Sequence, residues 1–173
     1  MSEVQILSPR PVLNAGSQAV GNRRVQVAVI GASRPSPQGY QHAHEAGRLL
    51  AARGAVVICG GLGGIMEAAC RGAHDAGGVA VGIVPASRGD ANEWTTAVIS
   101  PGMGYGRNWA IVHSVDGVLA IEGQLGTLSE LCLAAQLRLP IAGLSTWDMP
   151  ELPIHHCASP EEAVCWLLDV ISG

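Results

Sequence analysis

Three features of the sequence predict a three-layer α/β fold, with a mainly parallel sheet between two sets of helices. Short β-rich apolar runs end in glycine, and each leads into a segment whose apolar residues recur at helical spacing. Apolar residues make up 48% of the chain and charged residues only 14%, the balance of strands covered on both faces. All 173 residues share one composition regime, enough for one substantial core and without a second domain.

Residues 1–22 carry Pro9, Pro11, Asn14, Gly16 and Gly21 with weak periodicity and are read as an N-terminal arm. The single domain spans 23–173. Its first strand is Val25 to Gly31 (VQVAVIG), followed by the polar loop Ser33-Arg34-Pro35-Ser36-Pro37 and a helix reaching Arg53. The unit repeats with Ala55 to Cys59 as strand, Gly60-Gly61-Leu62-Gly63-Gly64 as loop, and Ile65 to Ala76 as helix. Val79 to Val84 and Thr96 to Ile99 are strands, and Pro101 to Gly106 is a glycine-rich turn before a helix from Arg107 to Ser114. Then come a strand at Gly117 to Ile121, a turn at Gly123 to Gly126, a helix over Thr127 to Leu137 and a strand at Ile141 to Leu144. The last helix runs from Ser159 to Ile171 and opens on Ser-Pro-Glu-Glu, an N-cap serine with proline at the first helical position. Right-handed crossovers in such a Rossmann-like order bring the loops that follow the strands to one edge of the sheet.

Composition excludes several chemistries. The ten basic residues are all arginine, so there is no lysine to form a pyridoxal-phosphate Schiff base or to complete a Walker A loop. The formal charge is −4 and the arginines are scattered, which argues against a nucleic-acid partner. Cys59, Cys70, Cys132, Cys157 and Cys165 form no Cys-x-x-Cys pair and are expected to be reduced core thiols. No signal-peptide pattern and no membrane-length apolar run is present, so a cytoplasmic protein without a membrane partner is expected.

Three loops, at Gly31-Ala32-Ser33, Gly60 to Gly64 and Gly123 to Thr127, each lead into a helix start. Free backbone N–H groups and the helix dipole favour an anion there, and glycine lets the backbone approach it closely. A phosphate-bearing ligand is therefore expected at Gly31, Ala32, Ser33, Gly60, Gly61, Gly63, Gly64, Gly123, Gln124, Leu125, Gly126 and Thr127, with Met103 and Asn108 beside them. Gly-x-Gly-x-x-Gly in its strand-to-helix context is missing, so a mononucleotide or similar molecule fits better than a dinucleotide such as NAD.

The block Gly60-Gly61-Leu62-Gly63-Gly64-Ile65-Met66-Glu67 and the later block Gly123-Gln124-Leu125-Gly126-Thr127-Leu128-Ser129-Glu130 resemble the paired signatures of the Lonely Guy (LOG)-like superfamily. That superfamily includes cytokinin riboside-monophosphate phosphoribohydrolases and molybdenum-cofactor carrier proteins, and its older label of lysine decarboxylase cannot describe a lysine-free pyridoxal enzyme. The resemblance spans Val25 to Leu144. It implies a nucleotide-type site, catalytic roles for Arg107 and Glu130 in the phosphoribohydrolases, and a homodimer or homotetramer. Glu122 stands where those enzymes usually have proline, Gln124 replaces their second glycine, and Asn108 stands where lysine commonly follows the arginine. The Gly-Arg-Asn form and the compact length are closer to the carrier-like and compact bacterial branches than to the plant enzymes.

Two functions follow from the resemblance. One is hydrolysis of the N-glycosidic bond of a nucleoside 5′-monophosphate, with no cofactor required for catalysis. The other is non-catalytic binding of a nucleotide or of molybdenum cofactor.

Several residues also have purely structural readings. Thr127-x-x-Glu130 reads as a capping box. Arg107, a cation at a helix start, is either opposed by an anionic ligand or paired with Asp116 or Glu130 at the surface. Glu67 suits the early turn of its helix through the dipole, while Glu122 must face away from an anion or accept hydrogen bonds. His155-His156-Cys157 is not expected to hold a metal, because adjacent extended residues point to opposite faces.

Overall fold

The computed structural model describes residues 23–173, so the expected arm over 1–22 lies outside the described residues. The strands are β1 (Gln26–Gly31), β2 (Val56–Cys59), β3 (Val79–Ile83), β4 (Ala97–Ile99), β5 (Gly117–Ile121), β6 (Ile141–Leu144) and β7 (Ile154–His156). The helices are α1 (Pro37–Ala52), α2 (Ile65–Asp75), α3 (Arg107–His113), α4 (Leu125–Gln136) and α5 (Pro160–Ser172). Short 3-10 turns at Arg88–Asp90 and Gly104–Gly106 lie in loops expected to be irregular.

All seven strands are parallel, in the order β4-β3-β2-β1-β5-β6-β7. The order reverses between β1 and β5, which pair from Val27 opposite Gly117 to Gly31 opposite Ile121. Chain order thus runs outward from β1 in one direction and from β5 in the other. A right-handed connection from either half then falls on opposite faces, leaving a crevice at the switch point.

Strand alternation sorts the core into two layers. Val27 and Val29 of β1 face α1, α2 and α5, packing with Ala46, Leu50, Ala69 and Leu167. Ala28 and Ile30 face α3 and α4, packing with Ile111, Val112, Leu131 and Ala134. Both layers are built of buried apolar side chains, and the three-layer reading holds.

The local starts and stops follow side-chain chemistry. Ser36 caps α1 by accepting from the Gly39 N–H, and Ser159 caps α5 by accepting from the Glu162 N–H, as its sequence predicts. The predicted start of α4 is wrong by two residues. Glu122 at φ 52° and Gly123 at φ 115° turn the chain so sharply that the helix begins at Leu125. Strand β7 was not expected either, because its three residues sit between prolines and have only one apolar member. Cys132 and Cys165 are exposed and Cys157 half-buried, so only Cys59 and Cys70 are the core thiols the sequence suggests. Among the described residues, no helix is long and apolar enough to cross a membrane.

Candidate functional site

The loops after β1, β2 and β5 meet at the switch point, but they do different work. In the first loop Gly31 is a packing glycine, since a Cβ there would fall 2.0 Å from the Ile121 carbonyl oxygen. Ala32 is buried and its carbonyl accepts from the Ile65 N–H at 3.0 Å, which ties this loop to the start of α2. The start of α1 already has its anion. The Glu122 carboxylate accepts from both the N–H and the hydroxyl of Ser36, and it fills the space beside Gly39 that a Cβ would need. Glu122 therefore accepts hydrogen bonds from Ser36 and completes the start of α1.

The other two loops are open. Neither Gly64 before α2 nor Gln124 before α4 makes a side-chain cap like those of α1 and α5, although the Ala32 carbonyl takes the first N–H of α2. A Cβ at Gly126 would meet nothing within 4 Å among the described residues. At Gly63 the nearest atom would be a Glu67 carboxylate oxygen at 3.6 Å. Gly64, at φ 71°, leaves room for the carbonyls of Ala32 and Ser33, which a Cβ would meet at 2.5 and 2.6 Å.

Both open loops are braced from behind. Asn92 donates to the carbonyls of Gly61 and Leu62 at 3.1 and 3.0 Å. Thr146 donates to the Glu122 carbonyl at 2.6 Å, and the Trp147 indole to that of Gln124 at 3.3 Å. Beneath Gly61, Cys59 accepts from its N–H at 3.3 Å and lies 3.3 Å from the Cys70 sulfur. The contact with Cys70 and complete burial push the Cys59 thiol up, keeping it neutral.

Arg107 and Glu130 face each other across this arrangement. Each residue is only 8% exposed, and Arg107 Nη1 lies 4.0 Å from Glu130 Oε1, too far for a hydrogen bond. The guanidinium rests on Gly60, where a Cβ would fall 2.2 Å from Nη1. Its Nε and Nη1 are buried and, among the described residues, have no hydrogen-bond partner.

Burial lowers the Arg107 pKa from its ordinary range, an effect the Glu130 charge opposes. Burial likewise raises the Glu130 carboxyl to about 7, with Arg107 pulling the other way. This overturns two structural readings. Arg107 is not a surface ion pair, and Asp116 is engaged instead by Arg23 and the Gln26 N–H. Thr127 and Glu130 form no capping box, because α4 starts at Leu125 and Thr127 is buried against Gly123 inside the first turn.

The Asn108 amide is turned toward α4, where it donates to Ser129 Oγ at 3.1 Å. Next to it, a cavity of about 710 Å³ opens between α3 and α4, lined by Tyr105, Trp109, Leu125, Gly126, Cys132 and Leu133 among others. Tyr105 is 92% exposed, and Met103 and Leu125 are exposed beside it. Sequence reasoning did not single out Tyr105 or Trp109. The available signal was that a chain with two tyrosines, four tryptophans and no phenylalanine places two of these aromatics within five residues of each other, around Arg107.

The chain belongs to the SLOG cluster4 family of the LOG-like superfamily, whose model matches residues 24–165. An uncharacterised protein from Archaeoglobus fulgidus is 37% identical over 144 residues, which cover 78% of this chain and 95% of that protein. The molybdenum cofactor binding protein from the phototrophic bacterium Rippkaea orientalis superposes with a TM-score of 0.82 at 29% identity, over 87% of this chain and 99% of its own. The molybdenum cofactor carrier protein from Chlamydomonas reinhardtii gives a TM-score of 0.79 over 87% of this chain and all of its own, and at 24% identity it shows a common fold.

Proposed function

We propose that this chain binds a small molecule in which a phosphate is joined to a flat heteroaromatic ring, in the manner of a molybdenum-cofactor carrier. The observation that carries the reading is the Arg107 guanidinium, buried with Nε and Nη1 unpartnered among the described residues, beside two helix starts without side-chain caps. A buried cation without hydrogen-bond partners costs several kcal/mol, and a bound oxyanion offsets that cost through charge-assisted bonds. Under this reading the N–H groups of Leu125, Gly126 and Thr127 receive the phosphate. Gln124 and the Gly60 to Gly64 loop approach it from the sides, and Gly31, Ala32 and Ser33 form the floor.

The cavity between Tyr105 and Leu133 offers the ring a mainly apolar wall with two aromatic faces. Asn108 belongs to its lining, and the exposed Met103 lies two residues before Tyr105 in the chain. The Rippkaea orientalis protein supports the pterin class of ligand through its similarity along nearly its whole length. A homodimer or homotetramer is part of the proposal, with monomeric mass in light scattering at micromolar concentration as the contrary result.

One observation favours a second reading, phosphoribohydrolase activity. A carboxyl raised to about 7 is suited to proton transfer near neutral pH, and beside a sugar its ionised form would stabilise an oxocarbenium-like transition state. Arg107 would then hold ligand charge while Glu130 activates water.

Incubation with a panel of nucleoside 5′-monophosphates, together with gel filtration after loading with molybdenum cofactor, separates the two. A carrier retains the phosphorylated pterin and releases no free base. A hydrolase releases base, and Glu130→Gln lowers that rate by at least about 100-fold. The absence of both retention and turnover would contradict the two readings together.

A further inference from the structure

A second cluster of metal-ligating side chains lies at the far edge of the sheet, where the switch-point crevice makes no use of it. Outermost strand β7 alternates its side chains, so His156 points toward Asp148, at 3.6 Å, on one face. His155 and Cys157, two residues apart, share the other face, and His155 stacks there on Trp166 of α5. The first turn of α5 adds Glu162. One ligand atom from each of His155, Cys157 and Glu162 lies within 4.8 Å of the other two.

Each donor is positioned from behind. The rings of His155 and Trp166 are 4.2 Å apart and within 7° of parallel, which fixes the imidazole plane. Glu162 Oε2 accepts from the Ala158 N–H at 2.8 Å, leaving its other oxygen free to coordinate. The Cys157 N–H donates to the Gly143 carbonyl at 2.9 Å, anchoring that backbone to β6. Such outer contacts are what orient metal ligands.

We propose that His155, Cys157 and Glu162 form a three-ligand site for a zinc-class divalent cation, which ties edge strand β7 to the first turn of α5. The donor set selects the metal: a thiolate with an imidazole suits zinc, whereas magnesium and calcium take oxygen alone. Around tetrahedral zinc, donor atoms sit about 3.5 Å apart, so small side-chain rotations close the site and the backbone stays in place. Cys157 binds as thiolate and releases its proton to solvent. The fourth position is left to water or a small ligand.

The test uses the full chain and metal alone. Zn²⁺ is titrated in competition with a chromogenic chelator, and Co²⁺ substitution is followed through thiolate-to-metal charge-transfer absorption. One equivalent should bind per chain, with the charge-transfer band present in wild type and lost in Cys157→Ser. Affinity should fall at least about tenfold in Cys157→Ser, in His155→Phe, which keeps the stack on Trp166, and in Glu162→Gln, which keeps an acceptor for Ala158. Zn²⁺ should also raise the melting temperature of wild type more than that of any of the three variants. Absence of stoichiometric binding at micromolar metal would overturn the site. So would zinc affinity unchanged in both His155→Phe and Cys157→Ser, which would place the ion elsewhere, for instance at Cys59 and Cys70.

Discussion

Arg107 Nη1 and Glu130 Oε1 stand 4.0 Å apart, in a pair that is buried yet not hydrogen-bonded. That separation leaves each charge only partly compensated, and the consequence is measurable. The Glu130 carboxyl titrates near 7 in the folded protein and near 4.5 when unfolded. Between those values the folded state holds a proton that the unfolded state has lost, so stability falls as pH rises through the window. The loss attributable to this group is of the order of 3 kcal/mol across the window. Glu130→Gln should flatten the dependence, giving a variant more stable than wild type at pH 8 than at pH 5 by a comparable margin. Urea denaturation at the two pH values measures it.

Gly60→Ala should separate stability from binding. The new Cβ would meet the end of the Arg107 side chain, which can swing aside, and Gly60 has no positive φ to strain. The variant should fold with a melting temperature within a few degrees of wild type yet bind nucleoside monophosphate or phosphorylated pterin at least about tenfold more weakly. With the guanidinium displaced, the Glu130 pKa should rise further above 7, readable by carboxyl NMR titration.

Gly126→Ala tests whether the first turn of α4 is kept bare for a ligand. A Cβ there meets nothing within 4 Å among the described residues, and the residue is helical. Folding stability should therefore increase by about 0.5–1 kcal/mol. Ligand affinity should fall, because the methyl group occupies the approach to the backbone N–H groups. A variant that is more stable and binds as well as wild type would show that the phosphate lies elsewhere.

Glu122→Ala should act on the fold first and on the site through it. It removes the acceptor that holds the Ser36 N–H and hydroxyl, and it leaves alanine at φ 52°. The expected loss is about 1–3 kcal/mol in urea denaturation, with ligand affinity falling several-fold as the turn into α4 loosens.

The outcome at Glu122 also shows what was legible in the sequence. Apolar runs ending in glycine revealed β1, β2 and β5, because a strand buried on both faces has little choice of residue. The true start of α4 was hidden, since it depends on Glu122 being held in a left-handed conformation by Ser36, 86 residues earlier. The local pattern at Thr127 and Glu130 matched a cap that tertiary structure overrides. Arg107 and Glu130 were marked by resemblance, but their burial and missing hydrogen bond come from the packing of α3 against α4. The Tyr105 and Trp109 cavity arises from the same packing. At β7 it is His155 and Cys157, two apart in an extended segment, that share a face, a relation hidden by the adjacent His155-His156-Cys157 order.

The proposed function requires that a ligand phosphate meet Arg107 and the bare start of α4. Its most direct test is calorimetric titration of wild type and Arg107→Gln with a phosphorylated ligand and its dephosphorylated counterpart, using pterin and nucleoside pairs. Wild type should prefer the phosphorylated member of at least one pair by about 100-fold or more, and Arg107→Gln should lose most of that preference while remaining folded. Equal affinity of wild type for both members of every pair, or a preference that survives in Arg107→Gln, would contradict it.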